Sequence, residues 1–463
     1  MSTPVKWRNL SPGDLDTVLP EIEASNVDEA VGSALRAFPA WAGTPLEERI
    51  EQLSACREAL RDQSGAMIDR IVAETGKRIV EARGEFDAVL AKFDFVFADA
   101  REVVDGRLVT GGPFPAVVRL RPRGPAAVVS PFNFPLHLGH GATLAYLLAG
   151  NTVVLKPSPL AAWTVAAYFD VFKTLLPAGV LELVQGGAAE GAALCGDPRV
   201  RSVCFTGSIA AGHAIAASIA GDHGKVLSLE LGGKNATFVF ADADPVVAAK
   251  GVAESVCLGA GQRCNATSWV AVERSGFEEF ALALTHAMTP YVPGIPQMED
   301  TLLGPLINQA AVDRFVGACR AEDCKWRVHG QVVGNVDGRR GNYVTPAIAE
   351  FADCRAYQAS PLSRNEIFAP LVALVPFNDP CEPVTTFNAL GFGLTASIYT
   401  ASRSRFETVG STLRVGNLYH GIPTTFSPST LPFGGVGLSG NGHPGGRGFI
   451  RFAGDEQAVQ TAT

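Results

Sequence analysis

The chain is sparing with charge: 18% of its 463 residues are Asp, Glu, Lys or Arg, and they leave a formal net charge of -8. No basic run or basic-aromatic stripe offsets that balance, which argues against binding a phosphate backbone. Nor is there a stretch of about 18 uninterrupted apolar residues, the length a membrane-crossing helix needs. The opening Met1-Ser-Thr-Pro-Val-Lys-Trp-Arg has no apolar signal-peptide core. These absences predict a cytosolic protein whose partners are neither nucleic acid nor membrane. Cys-x-x-Cys pairs are missing too. The nine cysteines (56, 195, 204, 257, 264, 319, 324, 354 and 381) are odd in number and scattered, which suits reduced, mostly buried thiols better than disulfides. The eight histidines are dispersed, His137 and His140 being the closest pair, and no metal site is expected. Internal repeats, heptads and low-complexity segments are absent.

What the chain has is length and apolar content. With 47% hydrophobic residues over 463 positions, it exceeds what one core usually supports, so two or three globular domains are expected. Apolar spacings of three and four predict helices over 27–38, 45–63, 64–75 and 83–103. Turn residues at Asp105-Gly106 and Gly111-Gly-Pro-Phe-Pro115 then flank short alternating runs, 107–110 and 116–120, which read as a protruding two-stranded hairpin. From Gly124 short apolar runs (126–130, 152–156, 181–185, 203–206) alternate with helical stretches (142–148, 160–176, 208–220). That alternation predicts an α/β fold with βαβ units and a parallel sheet, its ligands at the carboxyl ends of the strands. A second alternating region follows from about 225 to 410, opening with strands 226–231 and 236–240, with 330–342 as a loop. The tail 451–459 reads as a closing strand of unassigned pairing.

Several residues in these junctions could carry chemistry. Cys264, in Gly261-Gln-Arg-Cys264, has small neighbours that would let a substrate approach and backbone N–H groups close by. A thiol is either a nucleophile or a small buried hydrophobe, and the other eight cysteines fit the second description. Glu230, in Glu230-Leu-Gly-Gly-Lys234, leaves a strand where the chain turns; it is either a base or a solvated carboxylate paired with Lys234. Asn133, in Pro131-Phe-Asn-Phe-Pro135, offers an amide donor for an oxyanion or is a plain turn residue. Phe205-Thr-Gly-Ser208 ends a strand and opens a helix, and Gly207 with Gly212 suits a pyrophosphate at a helix N-terminus as well as an ordinary turn. Lys156, closing Thr152-Val-Val-Leu-Lys, could reach a ribose hydroxyl or be solvated.

In this order the motifs resemble the aldehyde dehydrogenase superfamily over roughly residues 20 to 460. The stretches that carry the resemblance are Pro131–Pro135, Gly150-Asn-Thr-Val-Val-Leu-Lys-Pro157, Phe205–Ser208, Glu230–Lys234, Gly261–Cys264, Glu366-Ile-Phe368 and Pro432-Phe-Gly-Gly435. The resemblance implies a Rossmann-type cofactor domain (1–102 and 124–229, with 411–440 returning to it), an α/β catalytic domain (230–410), and a small β oligomerisation unit (103–123 and 441–463) supporting a homodimer or homotetramer. It implies Cys264 as nucleophile, Glu230 as general base, Asn133 with the Cys264 N–H as oxyanion hole, Glu366 on the nicotinamide ribose and Phe368 beside the nicotinamide. Lys156, Ser158, Gly207, Ser208 and Gly212 complete the cofactor set. The implied reaction is NAD-dependent oxidation of an aldehyde to a carboxylate. Phe134-Pro-Leu-His-Leu-Gly-His140 and Ser439-Gly-Asn-Gly-His-Pro444 look most like the N-succinylglutamate 5-semialdehyde dehydrogenase branch of arginine degradation, which points to that or another semialdehyde as substrate. A CoA-acylating relative and a non-catalytic family member are the alternatives. Two departures stand out. Lys156-Pro-Ser-Pro159 replaces the usual Lys-Pro-Ser-Glu, removing a carboxylate that would repel a 2′-phosphate, so NADP is an expected second cofactor. Ala369 replaces a glycine, which is harmless where φ is negative.

Overall fold

Two largely parallel sheets, joined by one short crossing of the chain, organise the protein, a computed structural model of which describes residues 5–462. Four helices precede the first sheet. Helix α1 (Val27–Gly43) starts at Asn26, whose side chain accepts from the Asp28 and Glu29 amides, and runs on through Pro39 beyond the expected end. Helices α2 (Leu46–Asp62) and α3 (Ser64–Thr75) follow, and Gly76 stops α3 in the left-handed region (φ +69°). Helix α4 (Ile79–Val103) begins one turn before the expected Arg83, because Ile79 and Ala82 extend the buried stripe of Phe86, Val89, Phe93 and Phe97. Each such phenylalanine contributes roughly 1.5–3 kcal/mol by leaving water.

The first sheet has strand order Gly440–Asn441, Val226–Leu231, Ser202–Gly207, Ala126–Ser130, Val153–Pro157, Leu181–Leu183, all parallel except the first. Its five parallel strands run 3-2-1-4-5 in chain order, the doubly wound Rossmann arrangement. Helices α5 (His137–Leu148), α6 (Ala162–Lys173), α7 (Ala188–Gly196) and α8 (Ile209–Ile219) supply the crossovers. Helices α2 to α6 share one core with this sheet, while α1, α7 and α8 pack on its other face. The switch in strand order falls between Ala126–Ser130 and Ser202–Gly207, where such sheets open a crevice.

The second sheet has seven strands: Lys325–Val328, Ala347–Glu350, Leu371–Phe377, Thr267–Glu273, Asn235–Val239, Thr395–Tyr399 and Asn417–His420, with only the first edge antiparallel. Helix α9 (Pro245–Cys257) is one of the helices covering it.

Four expectations need correction. Residues 330–342 are not a loop: Val332–Val336 and Arg339–Val344 form a hairpin closed by Asp337-Gly338, both at positive φ (48° and 83°), as a tight Asp-Gly turn requires. The protruding hairpin is a three-stranded sheet, since Gly454–Gln460 pairs antiparallel along all of Ala116–Pro122, with Arg107–Val109 on the other side. The first part of the tail, Phe449–Ala453, is a 3-10 helix rather than strand. Finally, 411–440 does not return as one piece to the cofactor unit: Asn417–His420 extends the second sheet, and only Gly440-Asn441 rejoins the first, against Leu229 and Glu230.

Candidate active site

The crossing between the sheets sets the geometry. Strand Val226–Leu231 ends the first sheet, Gly232-Gly233-Lys234 turns, and Asn235 already begins the second. Glu230 therefore stands at the seam. Asn235 is the register partner of Thr267, so the residues just before Thr267, including Cys264, come back to the same seam. Asn133 reaches it from the first sheet, three residues beyond the strand end at Ser130.

A cleft of about 700 Å³ opens there, and Asn133, Glu230 and Cys264 line it together with Glu366 and Phe368. Lys156, Ser158, Gly207 and Ser208 line it further along. Of the residues singled out in the sequence, Gly212 alone lies behind the surface, on α8, where a Cβ would stand 2.6 Å from the Leu231 side chain. It lets α8 pack close to the sheet.

The turn residues are fixed by contact. At Gly232 a Cβ would overlap the Glu366 carboxylate, and at Gly233 it would stand 2.8 Å from the Cys264 carbonyl. Glu366 is tucked in by the Gly233 amide, which donates to its Oε1 at 3.1 Å. On the other side, Gly259, Ala260 and Gly261 all have positive φ (62°, 55° and 72°), a left-handed run that bends the chain into Cys264. A Cβ on Gly261 would overlap the Ala369 backbone. Ala369 itself is not left-handed, whereas Phe368 is, at φ +56°; the glycine replacement is therefore tolerated, and the strain sits on the aromatic residue that lines the cleft.

Two residues to which the sequence reading gave no role hold the cysteine loop. Asn235 donates to the carbonyls of Cys264 (2.7 Å) and Ala266 (2.9 Å), and its Oδ1 accepts from the Thr395 amide at 3.1 Å. Gln262 accepts at Oε1 from the Ile307 amide (2.9 Å), and its carbonyl takes a hydrogen bond from Asn133 Nδ2 at 2.9 Å. That bond uses one N–H of the Asn133 amide and aligns the group, leaving the second N–H for a ligand. Asn235 directly follows the Glu230–Lys234 motif, and a buried amide at the start of a strand is the signal that could have marked it. Arg263 turns away from the cleft: its guanidinium lies over the Phe134 ring (4.9 Å) and 3.4 Å from Glu81.

Electrostatically the seam is short of positive charge. Glu230 is 2% exposed and neither of its oxygens has a hydrogen-bond partner of normal geometry among the described residues. It is not a surface carboxylate, and the Lys234 ammonium donates instead to the Asn365 carbonyl at 3.3 Å. Burial pushes the Glu230 carboxyl up to about 7; the Cys264 thiol works against the rise and Glu366 adds to it. Burial carries Glu366 to about 7 as well, opposed by the Gly233 amide and Lys234. Burial, then Glu230, holds the Cys264 thiol well above its ordinary value, with Arg263 the one group lowering it.

The far end of the cleft fits a dinucleotide. Ser208 caps α8, its hydroxyl accepting from the Ala211 amide at 3.3 Å, so the first amides of an 11-residue helix face the cleft. Lys156 is 3% exposed and donates to the carbonyls of Gly186 (2.8 Å) and Pro157 (3.2 Å), which leaves one ammonium proton for a ligand. Pro159 lines the cleft beside it, its carbonyl held by Asn9 Nδ2 at 2.7 Å. The acid that Lys156 feels is Glu190, whose carboxylate caps α7 by accepting from the Gly187 amide at 2.7 Å.

Comparison with known proteins agrees with this architecture. The sequence profile of the aldehyde dehydrogenase family matches residues 7–459. The chain is 33% identical over 428 residues to N-succinylglutamate 5-semialdehyde dehydrogenase of Chromobacterium violaceum, covering 91% of this chain and 86% of that one. It is 34% identical over 436 residues to the enzyme of the same name from Klebsiella pneumoniae, covering 91% and 85%. Among solved structures, the NAD-dependent aldehyde dehydrogenase from Sinorhizobium meliloti superposes with a TM-score of 0.92 at 26% identity, over 99% of this chain and 91% of that one. By profile, sequence and fold alike, the chain belongs to the aldehyde dehydrogenase family.

Proposed function

We propose that this protein oxidises an aldehyde to a carboxylic acid with NAD as hydride acceptor, and that the aldehyde is a semialdehyde such as N-succinylglutamate 5-semialdehyde. The convergence of Cys264, Glu230, Asn133 and Glu366 on one seam at the end of the cleft carries this reading. The substrate follows the names of the two curated relatives.

In the proposed mechanism the Cys264 thiol first loses its proton to solvent, and the thiolate sulfur attacks the aldehyde carbon. The oxygen of the resulting thiohemiacetal accepts from the spare Asn133 N–H and the Cys264 amide. When bound, the cofactor supplies the acceptor for the hydride that leaves this carbon, and its positively charged ring brings the thiol the charge the seam lacks. Glu366 would hold its ribose and Phe368 would pack beside its ring, while Lys156, Ser158 and the α8 amides with Gly207 and Ser208 would hold the rest. The thioester left on Cys264 is hydrolysed by a water that gives its proton to Glu230. With Pro159 where a ribose-binding carboxylate would stand, NADP serves as well.

We also place this chain in a homodimer or homotetramer built on the three-stranded sheet, whose strand Arg107–Val109 is paired on one side only and carries Leu108 at 78% exposure. Reduced-cofactor formation across an aldehyde panel that includes N-succinylglutamate 5-semialdehyde, with NAD or NADP and with or without CoA, tests the reaction. Turnover without CoA and release of the free acid are expected. A strict CoA requirement, or no turnover of any aldehyde, would overturn the reading.

A further inference from the structure

A run of polar contacts starts beside Cys264 and passes through residues that do not line the dinucleotide cleft. Asn265, next to the thiol, donates through Nδ2 to the Ser427 hydroxyl at 3.0 Å, and that hydroxyl lies 3.2 Å from the Tyr419 phenol. Two residues on, the Ser429 hydroxyl stands 3.4 Å from Nε2 of His137, the first residue of α5. The His137 and Phe134 rings lie 6.2 Å apart, which brings these contacts back to the Asn133 loop.

Behind His137 stands Lys92, on α4 and 4% exposed. Among the described residues no carboxylate holds its ammonium charged: burial alone shifts it, down to about 8. Its charge is felt by His137 and His140, so it faces the start of α5. Gly141 makes the room, since a Cβ there would lie 3.0 Å from the ammonium nitrogen.

The neighbouring charges do not neutralise it. Lys77 pairs with Glu85, and both Arg78 and Arg263 pair with Glu81, so three cations already share these two carboxylates and neither is left for Lys92. Glu85 also accepts from the Leu136 and His137 amides (3.0 and 3.1 Å). In a chain of net charge -8, this is a local positive excess in a place where an unpaired ammonium is costly. His140 lies close by: its Nδ1 meets the Tyr168 phenol at 2.7 Å, while among the described residues Nε2 has no partner of normal geometry.

We propose that Lys92, His137 and the Ser429 hydroxyl form a subsite for a carboxylate at the far end of the aldehyde substrate. The ammonium supplies the charge, and the imidazole and hydroxyl supply directed N–H and O–H donors. The subsite selects aldehydes that end in a carboxylate over those of equal length that end in a methyl group. This proposal rests on the reading of Cys264 as the thiol that takes the aldehyde.

The test is a series of ω-oxo carboxylates of four to six carbons against unbranched aldehydes of the same lengths, measured with wild type, Lys92→Met and His137→Leu. Wild type should favour the carboxylates at least tenfold in kcat/KM at the best length. Lys92→Met should shrink that preference tenfold or more, chiefly through KM. A wild type without the preference, or a preference that survives Lys92→Met, overturns the subsite. Calorimetric binding of glutarate to the three proteins gives a readout free of turnover: binding to wild type that is lost in both variants is expected, and equal binding by all three counts against the subsite. Should wild type oxidise no aldehyde, the reaction reading fails while glutarate still decides the subsite. Should Lys92→Met not fold, His137→Leu and wild type decide it.

Discussion

Cys264 and Glu230 face the same shortage, since each is buried, each is held toward its protonated form, and each is the other's acid-base neighbour. Removing the thiol with Cys264→Ala is therefore expected to abolish aldehyde oxidation while the cleft still binds cofactor; equilibrium binding of NAD alongside turnover checks both halves, and turnover at the wild-type rate would remove Cys264 from its role. Glu230, with its pKa raised from 4.5 to about 7, is protonated below that pH and cannot take a proton from water, so thioester hydrolysis should be lost as pH falls through about 7 and recovered above it. Glu230→Gln should leave a burst of reduced cofactor, slow the steady state by about 10²–10⁴, and erase that inflection. If the inflection persists in Glu230→Gln, it belongs to Glu366, which titrates in the same range. Glu230, Cys264 and Asn133 were legible as residues because each sits in a short motif of distinctive neighbours. Asn235 was not, because it acts on backbone carbonyls 29 and 31 positions away; nor was Lys92, whose meaning lies in the absence of a partner, which no sequence displays.

At the scale of elements, the turns do the positioning. The left-handed run Gly259-Ala260-Gly261 aims Cys264, and Gly261 has neither the φ nor the space for a side chain. Gly261→Ala is expected to shift the thiol and cut kcat by about 10², the cost of misplacing a reacting group by about 1 Å. NAD affinity should stay near wild type, because the pyrophosphate end of the cleft is built on other strands. Single-turnover kinetics with a parallel binding titration separate the two, and an unchanged kcat would show that the loop relaxes freely. The parallel core of the first sheet was readable because buried strands stand out as short apolar runs between amphipathic helices. The hairpin at 332–344 was not, because the glycines and charged residues around Asp337-Gly338 look like loop until the turn type is recognised. The extension of α5 back to His137 was hidden in the same way: Gly139 and Gly141 are poor helix formers, yet a Cβ at the first would crowd Ser130 and at the second Lys92.

For the whole molecule, the decisive connections are those of the longest sequence separation. Arg123 binds Asp455 through Nε and the carbonyls of Phe452 and Gly454 through its two terminal nitrogens, and Asn151 donates to the Ala453 carbonyl at 2.8 Å. These bonds tie the last strand to the segments that lead into two interior strands of the cofactor sheet, Ala126–Ser130 and Val153–Pro157, and so hold the three-stranded sheet against it. Composition and spacing could not reveal this, because a closing strand chooses its partner only once both sheets exist. The projecting sheet exposes Leu108 (78%), Phe114 (49%) and Val109 (40%), an apolar edge next to an unpaired strand, which a second copy of the chain would cover. Replacing the two largest with Leu108→Glu and Phe114→Glu should therefore lower the assembly mass measured by light scattering to that of a monomer at micromolar concentration. The cleft lies on other elements, so NAD binding per chain should persist in the monomer. An assembly that keeps its mass in the double variant would mean that copies meet through another surface and that this edge is covered in some other way.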